Sequence, residues 1–143
     1  MTVKIKIKRI AVVGLGSIGR RHLRLVREIR PDMQVVLVRS GQGEIWLEEE
    51  LADVVVYTLS EAISIGIDAA IIATPAVSHV SDAIKFIEHE VPILVEKPLS
   101  HKLALAENLY KSWLEKKSLV LLGYCLRHTS AASFFHKKIQ DSI

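Results

Sequence analysis

Apolar runs of strand length alternate with longer amphipathic stretches along the whole chain. Ile10 to Val13 is a strand-like run that ends at Gly14. Ser17 to Arg30 carries Ile18, Leu23, Val26 and Ile29 close to helical spacing, and Pro31 stops it. Val35 to Val38 reads as a second strand, followed by the polar loop Arg39-Ser40-Gly41-Gln42-Gly43. A short helix is predicted around Ile45 to Leu51 and a third strand at Val54 to Tyr57. Leu59 to Ile65 predicts one or two helical turns closed by Gly66. Asp68 to Ala73 predicts a buried strand, which Thr74-Pro75 leaves. Ala76 to Glu90 reads as helix and Ile93 to Glu96 as a fifth strand. Ser100 to Lys117 predicts a long helix with Leu103, Leu105, Ala106, Leu109, Tyr110, Trp113 and Leu114 mostly on one side. Leu119 to Tyr124 is a sixth strand, and Ser130 to Ile143 a final helix.

Continuous apolar strands alternating with helices imply an α/β fold, a doubly wound parallel sheet with both faces covered. Six such strands fit the Rossmann order 3-2-1-4-5-6. The chain has no internal linker or low-complexity segment, so residues 1–143 read as one dinucleotide-binding domain. With half its residues hydrophobic, the chain can fill a layered core. The net charge of +3 is scattered, and no dense basic face with aromatic platforms appears, which excludes a nucleic-acid partner. The run Lys4-Ile5-Lys6-Ile7-Lys8-Arg9 reads as an edge or lead-in strand with protective lysines, in preference to a phosphate-binding arm. The single cysteine, Cys125, leaves no internal disulfide and reads as a small core residue. No apolar run approaches the roughly 18 residues a bilayer span needs, so a soluble, cytoplasmic protein without a membrane partner is expected.

Candidate chemistry gathers at strand ends. In Gly14-Leu15-Gly16-Ser17-Ile18-Gly19, Gly14 permits a tight turn, Gly16 lets the backbone approach a pyrophosphate and Gly19 lets helix and strand pack closely. The helix that follows offers free amides and dipole to phosphates, so Ser17 and Ile18 join the cofactor candidates. Arg20 and Arg21 read as solvated surface residues or, for one of them, as a phosphate contact. Where an NAD site normally carries an acid for the ribose 2′-hydroxyl, the chain has Arg39-Ser40. Guanidinium and hydroxyl suit a 2′-phosphate, so NADP is favoured, with NAD held without the acid as the alternative. Lys97 lies at the carboxyl end of the fifth strand, where open sheets bind ligands, and Pro98 bars it from the α region.

With the glycine turn, Ala73-Thr74-Pro75 followed by His79, and Glu96-Lys97-Pro98 in register, the sequence resembles the Gfo/Idh/MocA (glucose–fructose oxidoreductase / inositol dehydrogenase) family, over its N-terminal cofactor domain. Gly123-Tyr124-Cys125-Leu126-Arg127 is similar to that family's sixth-strand exit. The resemblance implies that Thr74 and Pro75 line the nicotinamide, with His79 beside them or simply at a helix start. It implies that Glu96 holds the cofactor ribose or the loop and that Lys97 reaches the substrate hydroxyl, while Arg127 either contacts cofactor or substrate or packs under the missing domain. In that family the Lys–Pro bond is often cis, which the sequence alone does not show for Lys97–Pro98. The His89-Glu90-Val91-Pro92 and His128-Thr129-Ser130 stretches depart from the family pattern.

The family's second domain, with its acid–base histidine, has no counterpart in these residues. The chain then reads as the cofactor half of an oxidoreductase acting on a sugar, sugar-nucleotide or cyclitol hydroxyl carbon, with little turnover alone. A stand-alone nucleotide-binding or regulatory module is the alternative. Apolar exposure around Leu126, Phe134, Phe135 and Ile139, with homo-oligomerisation through that surface, would favour the first reading. A semialdehyde dehydrogenase of another Rossmann type would need a catalytic cysteine, for which Cys125 is poorly placed.

Overall fold

The computed structural model describes residues 6–141. Lys4 and Ile5 of the basic lead-in run, and Ser142 and Ile143 of the expected last helix, lie outside the described residues. Six parallel strands form one sheet: β1 (Arg9–Val13), β2 (Gln34–Val38), β3 (Val54–Val56), β4 (Ala69–Ile72), β5 (Ile93–Val95) and β6 (Val120–Leu122). Their order is β3-β2-β1-β4-β5-β6, the doubly wound order the pattern predicts. The helices are α1 (Ser17–Ile29), α2 (Leu59–Ile65), α3 (His79–Glu88), α4 (Leu103–Lys116) and α5 (Ser130–Gln140).

Side chains alternate across the pleat, so neighbouring residues of one strand feed two cores. Ala11 and Val13 of β1 join Val36, Val38, Ala70, Ile72 and Val95 against α2, α3 and Leu109 of α4. Val12, Val35, Leu37 and Ile71 point to the other face, where Leu23 of α1 and Met33 cover them. Burying these aliphatic side chains supplies the main stabilisation, roughly 1.5–3 kcal/mol for each large one. The sheet is thus covered on both faces at its centre. Among the described residues no helix is long and apolar enough to cross a membrane.

Several boundaries move for local reasons. The helix expected from Ala76 begins at His79, because the Ser78 amide donates to the Pro75 carbonyl (2.8 Å) and closes a turn there. The helix expected from Ser100 begins at Leu103, since the Ser100 hydroxyl accepts the Lys102 amide (3.1 Å). The short helix expected around Ile45 to Leu51 is a 3₁₀ helix, Leu47–Leu51. Gly66 closes α2 with a φ of +81°, in the left-handed region as its sequence position predicts. On α4 only Leu109 is buried, while Leu103, Tyr110 and Leu114 are exposed.

Cys125 corrects the sequence reading. It lies in a 3₁₀ turn, Cys125–His128, that leaves the edge strand β6, and it is exposed and free. The reason is the edge itself. Leu121, register partner of Leu94, is 54 % exposed, and Leu126, Phe134 and Phe135 are likewise exposed.

Candidate functional site

The glycine turn is built by contact. Gly14 has a φ of +97°, and a Cβ there would meet the Ala73 carbonyl oxygen at 2.9 Å, so the turn runs against the end of β4. Gly19, in the first turn of α1, packs on that turn; its Cβ would sit 2.0 Å from the Gly14 oxygen. Gly16 is different. Nothing lies within 4 Å of a Cβ built there. It opens onto the N-terminus of α1, which has no side-chain cap and no acidic residue in its first turn. The leading amides of that helix are left as donors, and its dipole favours an anion in front of them.

A cleft of about 780 Å³ crosses this point at the carboxyl ends of β2, β1 and β4. Gly14, Gly16, Ser17 and Ile18 line its middle. Beyond β2 lie Arg39, Ser40, Gln42, Trp46 and Tyr57; beyond β4 lie Thr74, Pro75, Ser78 and Asp82. Strand order reverses beside β1, and open α/β sheets hold their ligands at that switch point.

Arg39 and Arg20 are engaged within the protein, whereas Arg21 is exposed. Arg39 is buried; its guanidinium pairs with Glu49 (2.6 Å) and donates to the Glu44 carbonyl (3.0 Å). Its charge is therefore largely offset inside the protein. Arg20 is half-buried and lies over the Trp46 ring, 3.7 Å from the centroid, with Glu48 at 3.8 Å. Arg24 also pairs with Glu48. Together these contacts fix the loop that walls the β2 end of the cleft.

At the β4 end, the Thr74 hydroxyl donates to the Asp82 carboxylate (2.8 Å), and burial holds the Asp82 carboxyl above its ordinary range. His79 is enclosed and does not reach the cleft surface. Its Nε2 lies 2.7 Å from the Thr74 carbonyl and its Nδ1 lies 2.8 Å from the Pro98 carbonyl. The ring thus ties the end of β4 to the segment after β5. The Lys97–Pro98 peptide is cis, and Lys97 is exposed beside it without lining the cleft.

Glu96 turns away from the cleft. Its Oε1 meets His22 Nε2 on α1 (2.8 Å), and its Oε2 accepts the Lys97 amide at 3.3 Å. Gly123, after β6, leaves room for that carboxylate: a Cβ there would sit 3.1 Å from Glu96 Oε2. Glu96 thus links the end of β5 to α1, and Arg127, exposed in the turn after β6, does not line the cleft. The sequence reading missed His22, Asp82 and Trp46. Asp82 alone had a usable signal, one helical turn beyond Ser78 on the helix that leaves Thr74-Pro75.

Residues 8–124 match the Gfo/Idh/MocA family model, described as an oxidoreductase family with an NAD-binding Rossmann fold. A 4-carboxy-2-hydroxymuconate-6-semialdehyde dehydrogenase of Sphingobium sp. is 29% identical over 92% of this chain and 42% of its own length. An inositol 2-dehydrogenase of Renibacterium salmoninarum is 32% identical over 80% of this chain and 34% of its own. The crystal structure of myo-inositol 2-dehydrogenase from Lactobacillus plantarum superposes with a TM-score of 0.83 at 20% identity, covering 95% of this chain and 42% of that one. The chain spans about two-fifths of the length of such relatives.

Proposed function

The chain belongs to the Gfo/Idh/MocA oxidoreductase family, and we infer that it supplies the half of such an enzyme that binds a nicotinamide dinucleotide and presents a lysine to the substrate. Gly16 carries this reading: open space before an uncapped helix N-terminus, in the middle of a cleft at the sheet's switch point. A pyrophosphate fits the amides of residues 16–19, adenosine the side of Ser40 and Tyr57, and nicotinamide the side of Thr74 and Pro75.

The bound nicotinamide supplies hydride acceptance and donation. Gly14 and Gly19 hold the turn, and Thr74 and Pro75 line the end of the cleft that would hold the nicotinamide. Lys97 directs its ammonium to the oxygen on the reacting carbon and stabilises alkoxide character as the proton leaves. The substrate is a sugar, sugar nucleotide or cyclitol hydroxyl carbon, in keeping with inositol 2-dehydrogenase relatives. Acid–base exchange is assigned to the part of the relatives' length that the match does not span. The exposed apolar side chains of Leu121, Leu126, Phe134 and Phe135 are the face such a part would cover.

NADP is the finer cofactor assignment, through Arg39 and Ser40 at the adenosine end. The Glu49 pair moderates it, because a paired guanidinium has less to offer a 2′-phosphate. Calorimetric titration of the chain with NADH, NADPH and ADP-ribose tests the whole reading. Micromolar to millimolar binding of all three is expected, and binding of none of them would end it.

A further inference from the structure

Asp82 is a carboxylate facing the nicotinamide end of the cleft, and no residue of the proposed chemistry uses it. It stands in the first turn of α3 beside Thr74, Pro75 and Ser78. The Thr74 hydroxyl holds its Oδ2 at 2.8 Å, which fixes the group without neutralising it. Glu48, Glu49, Asp53 and Glu96 each face an arginine or histidine at ion-pair distance. Asp82 makes no such pair among the described residues; Lys85, one turn along α3, and His79 act on it only through space. Burial disfavours its charge, so a cation entering the cleft would meet a carboxylate that only Lys85 and His79 offset, and those from a distance.

The two redox states of a nicotinamide differ in this respect. The oxidised pyridinium ring carries a positive charge, and the reduced dihydropyridine ring carries none. We propose that Asp82 is a selectivity residue that strengthens binding of the oxidised cofactor relative to the reduced one, its carboxylate facing the pyridinium charge across the cleft. This rests on assigning the Thr74–Pro75 end to the nicotinamide. It also gives the Thr74–Asp82 hydrogen bond a purpose, since a carboxylate held in one place acts on the ring at a fixed distance.

The test is calorimetric titration of the chain, wild type and Asp82→Asn, with NAD⁺ against NADH, NADP⁺ against NADPH, and ADP-ribose. The substitution should weaken the oxidised form relative to the reduced form by roughly three- to tenfold, with ADP-ribose unchanged. Equal effects on both redox states, or an unchanged ratio, overturn the inference while leaving the dinucleotide site intact. Binding of ADP-ribose no weaker than that of the dinucleotides removes the nicotinamide assignment, and the inference with it. If Asp82→Asn does not fold, Asp82→Ser should give the same shift and Asp82→Glu should keep the wild-type ratio.

Discussion

His22 and Glu96 meet across the molecule, Nε2 to Oε1 at 2.8 Å, with 16% and 17% of their side chains exposed. The contact joins the helix of the glycine turn to the residue that precedes Lys97. Removing one partner leaves the other largely enclosed, so His22→Ala should cost about 1–3 kcal/mol of stability by urea denaturation. His22→Gln, which retains a donor, should recover part of it. A His22→Ala variant as stable as wild type would show that the contact holds nothing.

Gly16 and Gly19 should separate binding from folding. Gly19→Ala puts a Cβ 2.0 Å from the Gly14 oxygen, and the backbone must move, at roughly 1–3 kcal/mol or more. Gly16→Ala meets nothing within 4 Å, and should leave the melting temperature within a few degrees while lowering dinucleotide affinity at least roughly tenfold. Calorimetry and thermal melts on both variants decide it.

Glu49 should act as a brake on NADP preference. With Arg39 paired, NADPH and NADH are expected to bind within a few-fold of each other. Glu49→Gln frees the guanidinium and should raise NADPH affinity relative to NADH by roughly three- to tenfold. Arg39→Asp should abolish any preference for NADPH. A wild-type preference that neither change moves would remove Arg39 from the cofactor site.

Acid stability should depend on two aspartates at strand starts. Asp53 accepts the Val35 amide and pairs with Arg27, and these contacts hold its carboxyl below the usual range. Asp68 accepts the Lys8 and Arg9 amides with the same effect. A depressed folded value means that the stabilisation is complete above the unfolded value of about 3.9 and is lost as pH falls through the folded one. Asp53→Asn and Asp68→Asn should therefore be less stable than wild type at pH 7, and the gap should narrow below about pH 4. Urea melts across that range measure it.

The exposed C-terminal face should make the chain associate with itself. Leu126 is 74% exposed and Phe135 66%, beside the uncovered edge strand β6. Light scattering should show species larger than a monomer, and Leu126→Glu with Phe135→Glu should reduce them. A monodisperse monomeric wild type would contradict this.

Strand order, the glycine turn and the Gly66 stop were legible because each is written in local signals: apolar runs, a triplet of small residues, a left-handed position. The start of α3 was not, since Ala76, Val77 and Ser78 suit a helix and only the Pro75 carbonyl diverts them into a turn. At the site, the glycines were legible from the strand they follow, whereas Thr74 and Pro75 came only with the family resemblance. Arg39 and Glu96 were found, but not what they touch. Glu49 and His22 reach them through tertiary packing, and His22 lies 74 residues from its partner. Cys125 failed for a similar reason, because burial of an edge strand's exit depends on what packs beside it.

If Lys97 meets a substrate as proposed, the His79 ring, set between the Thr74 and Pro98 carbonyls, bears on how it does so. One enclosed side chain fastens the wall of the cleft to the peptide beside Lys97, so neither can shift without the other. On the proposed reading, a lysine mounted this way does not wait for substrate to draw its backbone into place. Its backbone is set when the sheet folds, and only the four methylenes of the side chain remain to be ordered on binding. On that reading, the entropy of arranging that backbone is met during folding and not on binding.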